Sequence, residues 1–397
     1  MPHPQAALPP TRRRPVPTIE RVRGALRLAV DGIHGVTHIA EGLHGNIARL
    51  APPLGHVRER RTPGIAGFVY GTVRTGSALV GSGVDAALAG LQGLLPAHHA
   101  DRTDGSPASQ AMLSALNGVL GDHLARTGNP LAIPMELRVR GTPGPRLLLL
   151  VHGLGMNDLQ WNRNGHDHGR ALAASLGRTP VYLRYNSGRH VSENGSELAG
   201  KLEELVAHWP VPVESIAVLG HSMGGLVARS AVHQAHAAGL TWPRRLRQMV
   251  FLGTPHHGAA LERGGNWLHT VLGLSPYLAP FARLGRLRSD GITDLRHGNL
   301  LASDWEGGRF LHRDTRTMVP LPRRVACYAV AGALGQGGAD QALGDGLVAV
   351  DSALGRHVRP THDLHVPAAR SWIARGVHHL ELLSDPGVYA KLRGWLR

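Results

Sequence analysis

Cysteine occurs once in the 397 residues, at Cys327, so no disulfide can form within the chain. A single thiol suits a reducing compartment. Aromatic residues make up only 4% of the chain against 42% hydrophobic residues, so the core must be built from aliphatic side chains. Of 43 basic residues only Lys201 and Lys391 are lysine, and 28 acidic residues leave a formal charge of +15. No apolar run approaches the ~20 residues that cross a bilayer as a helix. Arg12-Arg13-Arg14 is not followed by an apolar stretch of signal-peptide length. Both absences point to a cytoplasmic location. Zinc-finger spacing, a basic heptad region and an aromatic RNA-binding signature are all missing, and the arginines are scattered rather than striped. A solvated basic surface accounts for the charge, and no nucleic-acid partner is expected. Gly332 to Gly338 is glycine-rich but has no phosphate-binding lysine, which argues against a nucleotide site.

What is present is organised around Val218-Leu219-Gly220-His221-Ser222-Met223-Gly224-Gly225-Leu226-Val227. Ser215 to Leu219 is a short apolar run, and Gly225 to Val232 has helical spacing. G-x-S-x-G therefore sits between a strand and a helix. Glycines two residues either side of a serine permit a sharp turn that lifts its hydroxyl clear of the sheet. The helix N-terminus behind it favours developing negative charge.

The rest of the chain falls into three textures. Residues 1–20 are proline-rich and read as disordered. Residues 21–130 read as a helical extension. Apolar residues recur at three- and four-residue steps from Leu26 to Leu50 and again from Ile65 to Leu95, and Gln110 to Leu124 forms another helix. The abundant glycine weakens isolated helices, so this region must be held by packing or by an interface. It reads either as a helical cap or as an arm that meets a lipid surface through residues 21–95. Residues 131–397 alternate strands with helices, which predicts a mostly parallel sheet flanked by helices. The strands are expected at Pro134–Arg140 (an edge), Arg146–Val151, Pro180–Tyr185, Ser215–Leu219, Gln248–Leu252 and Arg324–Ala331. Helices are expected at Asn164–Leu176, Leu198–Trp209 and Val388–Leu396. An apolar helical insertion at about 262–318 would cover a site.

A serine hydroxyl needs a base, and the base needs an acid to orient it. Ser222 is the candidate nucleophile. Asp345, between glycines in a loop after a strand, is the candidate acid, with Asp340 and Asp351 behind it. The base should lie in a loop before the last helix. His379 and His378 both fit, with His362 and His365 more remote, and His379 is favoured because Leu380-Glu381-Leu382-Leu383 would pin it. His221 reads as structural. Two backbone N–H groups should hold the oxyanion, those of Met223 and Leu154. His166-Asp167-His168 and His256-His257 resemble metal ligands, but no third ligand stands at diagnostic spacing. No metal or cofactor is expected.

At these residues the chain resembles the α/β-hydrolase superfamily, in the lipase and esterase branch that includes the GPI inositol-deacylase-like (PGAP1-like) hydrolases. The matching stretches are VHGLG at 151–155, YLRYNSG at 182–188, GHSMGGLVARSA at 220–231, FLGTPHHGA at 251–259, GDGLVAVDSALG at 344–355 and VHHLELL at 377–383. The resemblance implies Ser222, Asp345 and His379 as a triad, hydrolysis of carboxylic esters of apolar acyl groups, and a lid between Glu262 and Met318. It does not reach the region before Leu131. The same triad would also serve a thioesterase or acyltransferase. A reading of another class makes the chain a lipid- or granule-surface protein acting through its N-terminal helices.

Overall fold

The computed structural model describes residues 20–32, 34, 75, 78, 79, 82, 106–259, 289–305, 314–335 and 344–397. The chain divides into two units, one holding Gly105–Ala125 and Ile133–Arg397, the other Arg12–Asp104 and Arg126–Ala132. In the second unit residues 20–32 are helical. Asn129 Nδ2 donates to the Gly24 carbonyl (3.0 Å) while its Oδ1 accepts from Leu131 N–H (2.9 Å). The remaining expected helices before residue 105 lie almost wholly outside the described residues, as does most of the 262–318 insertion. Within that insertion Asp290–Asp294 is a short helix capped by Ser289. Among the described residues no helix is long and apolar enough to cross a membrane.

The larger unit is built on a mostly parallel seven-stranded sheet flanked by helices. Its strands are β1 (Glu136–Val139), β2 (Arg146–Val151), β3 (Thr179–Arg184), β4 (Ser215–His221), β5 (Leu246–Leu252), β6 (Ala326–Ala333) and β7 (Ser371–Arg375). The order across the sheet is β1-β3-β2-β4-β5-β6-β7. Only β1 is antiparallel, pairing Glu136 with Arg184 at the edge. β2 lies between β3 and β4, pairing Leu149 with Val181 on one side and with Val218 on the other. The chain winds outward in both directions from β2 and β4, so a crevice opens at their carboxyl ends.

The aliphatic run of β2 is buried on both faces because both faces are covered. Leu147, Leu149 and Val151 join a core with helices α1 (Pro107–Arg126), α3 (Val191–Ala207) and α4 (Met223–Ala237). Leu148 and Leu150 face the opposite way, toward Leu172 of α2 (His168–Leu176) and Val388 and Leu392 of α5 (Pro386–Trp395). Each fully buried leucine adds roughly 2 kcal/mol of transfer free energy, which lets a core with few aromatics hold a sheet this wide.

Several boundaries differ from the sequence expectation for local reasons. Helix α2 begins at His168 rather than Asn164, because residues 162–167 form a small hairpin pairing Asn162 with Asp167 and Arg163 with His166. Asp167 then caps the helix, accepting from Arg170 N–H at 3.0 Å. Helix α3 starts at Val191, seven residues before its periodic apolar face is readable. β7 was not expected as a strand. Its Ser-Trp-Ile-Ala-Arg sequence lacks a β-branched run, and pairing with β6 from Ala329↔Ser371 to Ala333↔Arg375 makes it one.

Candidate functional site

Strand β4 ends at His221 and helix α4 begins at Met223, so Ser222 alone makes the turn. It does so at φ 53° and ψ −127°, a left-handed conformation that costs a non-glycine residue on the order of 1 kcal/mol or more. Packing holds the strain in place. Ser222 N–H donates to the Leu252 carbonyl at the end of β5 (2.8 Å). A Cβ on Gly224 would run into the carbonyls of Val151 and His152, and one on Gly220 would stand 2.7 Å from Gly225 Cα. Both glycines of the motif are therefore set by close approach. Ser222 occupies the N-cap position, yet its side chain makes no capping hydrogen bond. The hydroxyl that would ordinarily satisfy a helix N–H is left available.

The loop after β2 lies directly on this serine, since the position of a Cβ on Gly153 falls 3.0 Å from Ser222 Cβ. In that loop Gly155 N–H donates to Ser187 Oγ (2.8 Å) and Met156 N–H to the Gly153 carbonyl (3.3 Å). The Leu154 N–H between them has no partner among the described residues. Met223 N–H opens helix α4, where the first N–H groups have no acceptor within the helix. Met223 is thus next to Ser222 in the chain, and Leu154 is next to Gly153, where the loop packs on the serine.

Asp345 and His379 meet across 34 residues of chain. The buried Asp345 carboxylate accepts from Leu347 and Val348 N–H on Oδ1 (3.0 and 2.9 Å) and from His379 Nδ1–H on Oδ2 (2.7 Å). Backbone bonds tie the same two residues, with His379 N–H donating to the Asp345 carbonyl (3.1 Å). With Nδ1 carrying the proton, Nε2 is the basic nitrogen, and it has no hydrogen-bond partner among the described residues. His221 supports the arrangement from behind, donating from Nε2 to the His379 carbonyl (3.1 Å). Burial, with His379 alongside, pushes the His221 pKa well below the ordinary value, so it stays neutral. His152 is likewise lowered to about 4 by burial while it stacks on Tyr185.

The other candidates lie elsewhere. His378 turns to Glu381 (3.2 Å) at the partly exposed surface. Asp351 pairs with Arg356 at 3.8 Å in the open, and Asp340 lies outside the described residues. His365 is exposed beside Asp363, and His362 stacks on His357.

Neither metal-like histidine pair has a ligand's surroundings. His168 donates from Nε2 to the Leu382 carbonyl (3.0 Å), His166 bonds its Nδ1 (2.8 Å), and Asp167 is occupied by the helix cap and the Tyr182 hydroxyl (2.9 Å). Burial lowers His168 to about 4. His256 and His257 face guanidinium groups. Arg229 Nη1 donates to His256 Nδ1 (3.2 Å), and Arg316 Nη2 donates to His257 Nδ1 (2.8 Å). A ring nitrogen that accepts from arginine has no lone pair left there for a metal. Burial drives His256 far down and His257 to about 3, and it lowers Arg229 to about 9. Among the described residues no group of three or more His, Cys, Asp or Glu could hold a metal.

Sequence reasoning missed Ser187 and the Arg229–His256–Arg316–His257 cluster. Ser187 lay within the quoted YLRYNSG stretch, whereas the cluster joins residues up to 87 positions apart with no shared local pattern.

Residues 196–313 match the family described as PGAP1-like alpha/beta domain. No curated protein sequence matches the chain. Among solved structures, the mature Bacillus licheniformis lipase BlEst2 overlays at 20% identity with a TM-score of 0.42, over 66% of this chain and 98% of that one. Aspergillus fumigatus lipase B overlays at 13% identity and 0.40, over 64% and 54% of the two chains. The Pyrococcus furiosus esterase Pf2001 overlays at 13% identity and 0.38, over 66% and 90%.

Proposed function

We propose that this α/β-hydrolase cleaves carboxylic esters of apolar acyl groups through Ser222, His379 and Asp345. One observation carries the reading. A strained serine with an uncommitted hydroxyl directly follows His221, whose ring lies 4.8 Å from that of His379, and His379 Nδ1 is held in turn by the buried Asp345 carboxylate. In this mechanism Ser222 Oγ attacks the ester carbonyl carbon as His379 Nε2 takes its proton. Asp345 holds the imidazole tautomer and stabilises the imidazolium that forms. The carbonyl oxygen becomes an oxyanion held by the N–H groups of Met223 and Leu154, each worth about 10²–10³ in rate. The tetrahedral intermediate collapses, the carbon–oxygen ester bond breaks, and His379 returns the proton to the leaving alcohol. Water, deprotonated by His379, then releases the acid from the acyl-enzyme and restores Ser222.

A panel of p-nitrophenyl esters, thioesters and amides of increasing acyl length tests the assignment. Ester turnover by the wild type should fall at least about 10⁴-fold in Ser222→Ala, with the fold retained by circular dichroism. Turnover that survives the substitution would refute the assignment. Thioesters cleaved much faster than esters would move the activity to a different acyl bond.

A further inference from the structure

The loop that carries Leu154 is not supported by the sheet alone. Its Gly155 N–H is held by Ser187 Oγ (2.8 Å), a fully enclosed hydroxyl on the turn after β3. Helix α1 presses on the same loop. A Cβ placed on Gly118 would stand 2.8 Å from Gly155 Cα, 3.0 Å from its nitrogen and 3.7 Å from Ser187 Oγ. One turn along, a Cβ on Gly121 would collide with the side chain of Asn186. Asn186 Nδ2 instead donates to the Gly121 carbonyl (2.8 Å), and its Oδ1 accepts from Gly188 N–H (3.1 Å). Ser289 Oγ donates to the Gly118 carbonyl (2.6 Å), and Asn157 Nδ2 donates to Ser114 Oγ (3.1 Å) at the far end of the loop. A glycine inside a helix costs about 1 kcal/mol against alanine. Here two glycines one turn apart bring the helix backbone into contact with the loop beside the nucleophile.

We propose that helix α1 and the 186–188 turn jointly fix the oxyanion loop, with Ser187 and Gly118 as positioning residues for the Leu154 donor. The inference rests on the hydrolase reading above. It adds that a helix outside the family match and the quoted motifs contributes to transition-state stabilisation. Ser187 neither touches substrate nor moves a proton in this account. Its oxygen holds the N–H next to Leu154, so the Leu154 N–H stays aimed at the place where the carbonyl oxygen gains charge. An error of about 1 Å in such a donor costs on the order of 10²-fold in rate.

The test is steady-state ester hydrolysis by full-length Ser187→Ala and Gly118→Ala, alongside Val388→Ala as a stability control on the opposite face of the sheet. Affinity for a trifluoromethyl ketone is measured in parallel. The expected result is a kcat loss of about 10- to 100-fold in both positioning variants with KM within about twofold. Ketone affinity should fall by a similar factor, and the control should keep wild-type kcat at a comparable loss of Tm. Positioning variants with kcat and ketone affinity within twofold of wild type would overturn the inference. So would a control that loses kcat as they do. Turnover that depends on Ser222 but not on Ser187 overturns this inference alone. A wild type with no acyl turnover overturns both it and the hydrolase reading.

Discussion

Among the described residues two buried histidine pairs, His221 with His379 and His256 with His257, meet neighbours of opposite charge. His379 faces the Asp345 carboxylate, which accepts its Nδ1 proton and leaves Nε2 basic. His256 and His257 face Arg229 and Arg316, whose guanidinium groups donate into their Nδ1 lone pairs. A carboxylate neighbour favours the imidazolium needed in a proton shuttle, whereas an arginine neighbour opposes it. Burial acts on both pairs. The proposed proton shuttle belongs to the pair with an anion, and the other pair ties the loop after β5 to α4 and to residues 316–319 by neutral and charge-assisted hydrogen bonds. In a chain with 26 histidines, then, the neighbour of each ring and not the count decides which one is proposed as the base.

The largest effect that would break this contrast is the loss of the anion. In Asp345→Asn the side-chain oxygen can still accept from Leu347 and Val348, but the amide then faces His379 Nδ1 as a donor. The imidazole is driven to the wrong tautomer, and kcat should fall about 10³- to 10⁴-fold with little change in Tm. A loss of less than tenfold in stopped-flow or steady-state assays would remove Asp345 from its role. The matching substitution in the other pair, His256→Ala, leaves Arg229 Nη1 without its partner. It should cost about 1–3 kcal/mol in urea unfolding while the pH–rate profile keeps its wild-type midpoint. A shifted midpoint would mean that this pair does exchange protons with the site.

The smallest effect is on the pH dependence of stability. His152, His168 and His257 have folded-state pKa values lowered by burial to about 4, 4 and 3, below the ordinary 6.5. Below pH 6.5 the unfolded chain binds protons that these folded groups refuse. Their contribution is therefore complete above about pH 6.5 and is lost as pH falls toward the folded values. Each adds a slope of roughly 1 kcal/mol per pH unit within that window. Urea midpoints measured from pH 7.5 to 4.5 should decline below pH 6.5, and His257→Gln should flatten the decline. A midpoint that is flat over this range, or that rises as pH falls, would contradict the burial of neutral imidazoles.

The sequence carried the parts of the site that are local and left open those that need long-range contacts. G-x-S-x-G between an apolar run and a helical run located the elbow, and Arg146–Val151 was readable to the residue because both faces of that strand are apolar. His378 and His379 were not separable along the chain. What distinguishes them is a bond to a carboxylate 34 positions earlier on one side and Glu381 on the other. The start of α3 was hidden because Ser192, Glu193, Asn194 and Gly195 have no apolar periodicity, although Ser192, Asn194 and Gly195 are buried against neighbouring elements. Nothing along the chain sets Gly118 and Gly121 apart, and their use becomes visible only once Gly155 and Asn186 are beside them. The support of the loop carrying Leu154 is the part of the proposed site least legible in one dimension.

The central claim is that Ser222 is an activated nucleophile. Its most direct test is labelling with a fluorophosphonate, followed by mass mapping of the adduct in wild type and Asp345→Asn. The account predicts a single adduct on the peptide containing Ser222, formed far more slowly in the variant. An adduct on another residue, or labelling of Ser222 at an unchanged rate when Asp345 has lost its charge, would contradict it.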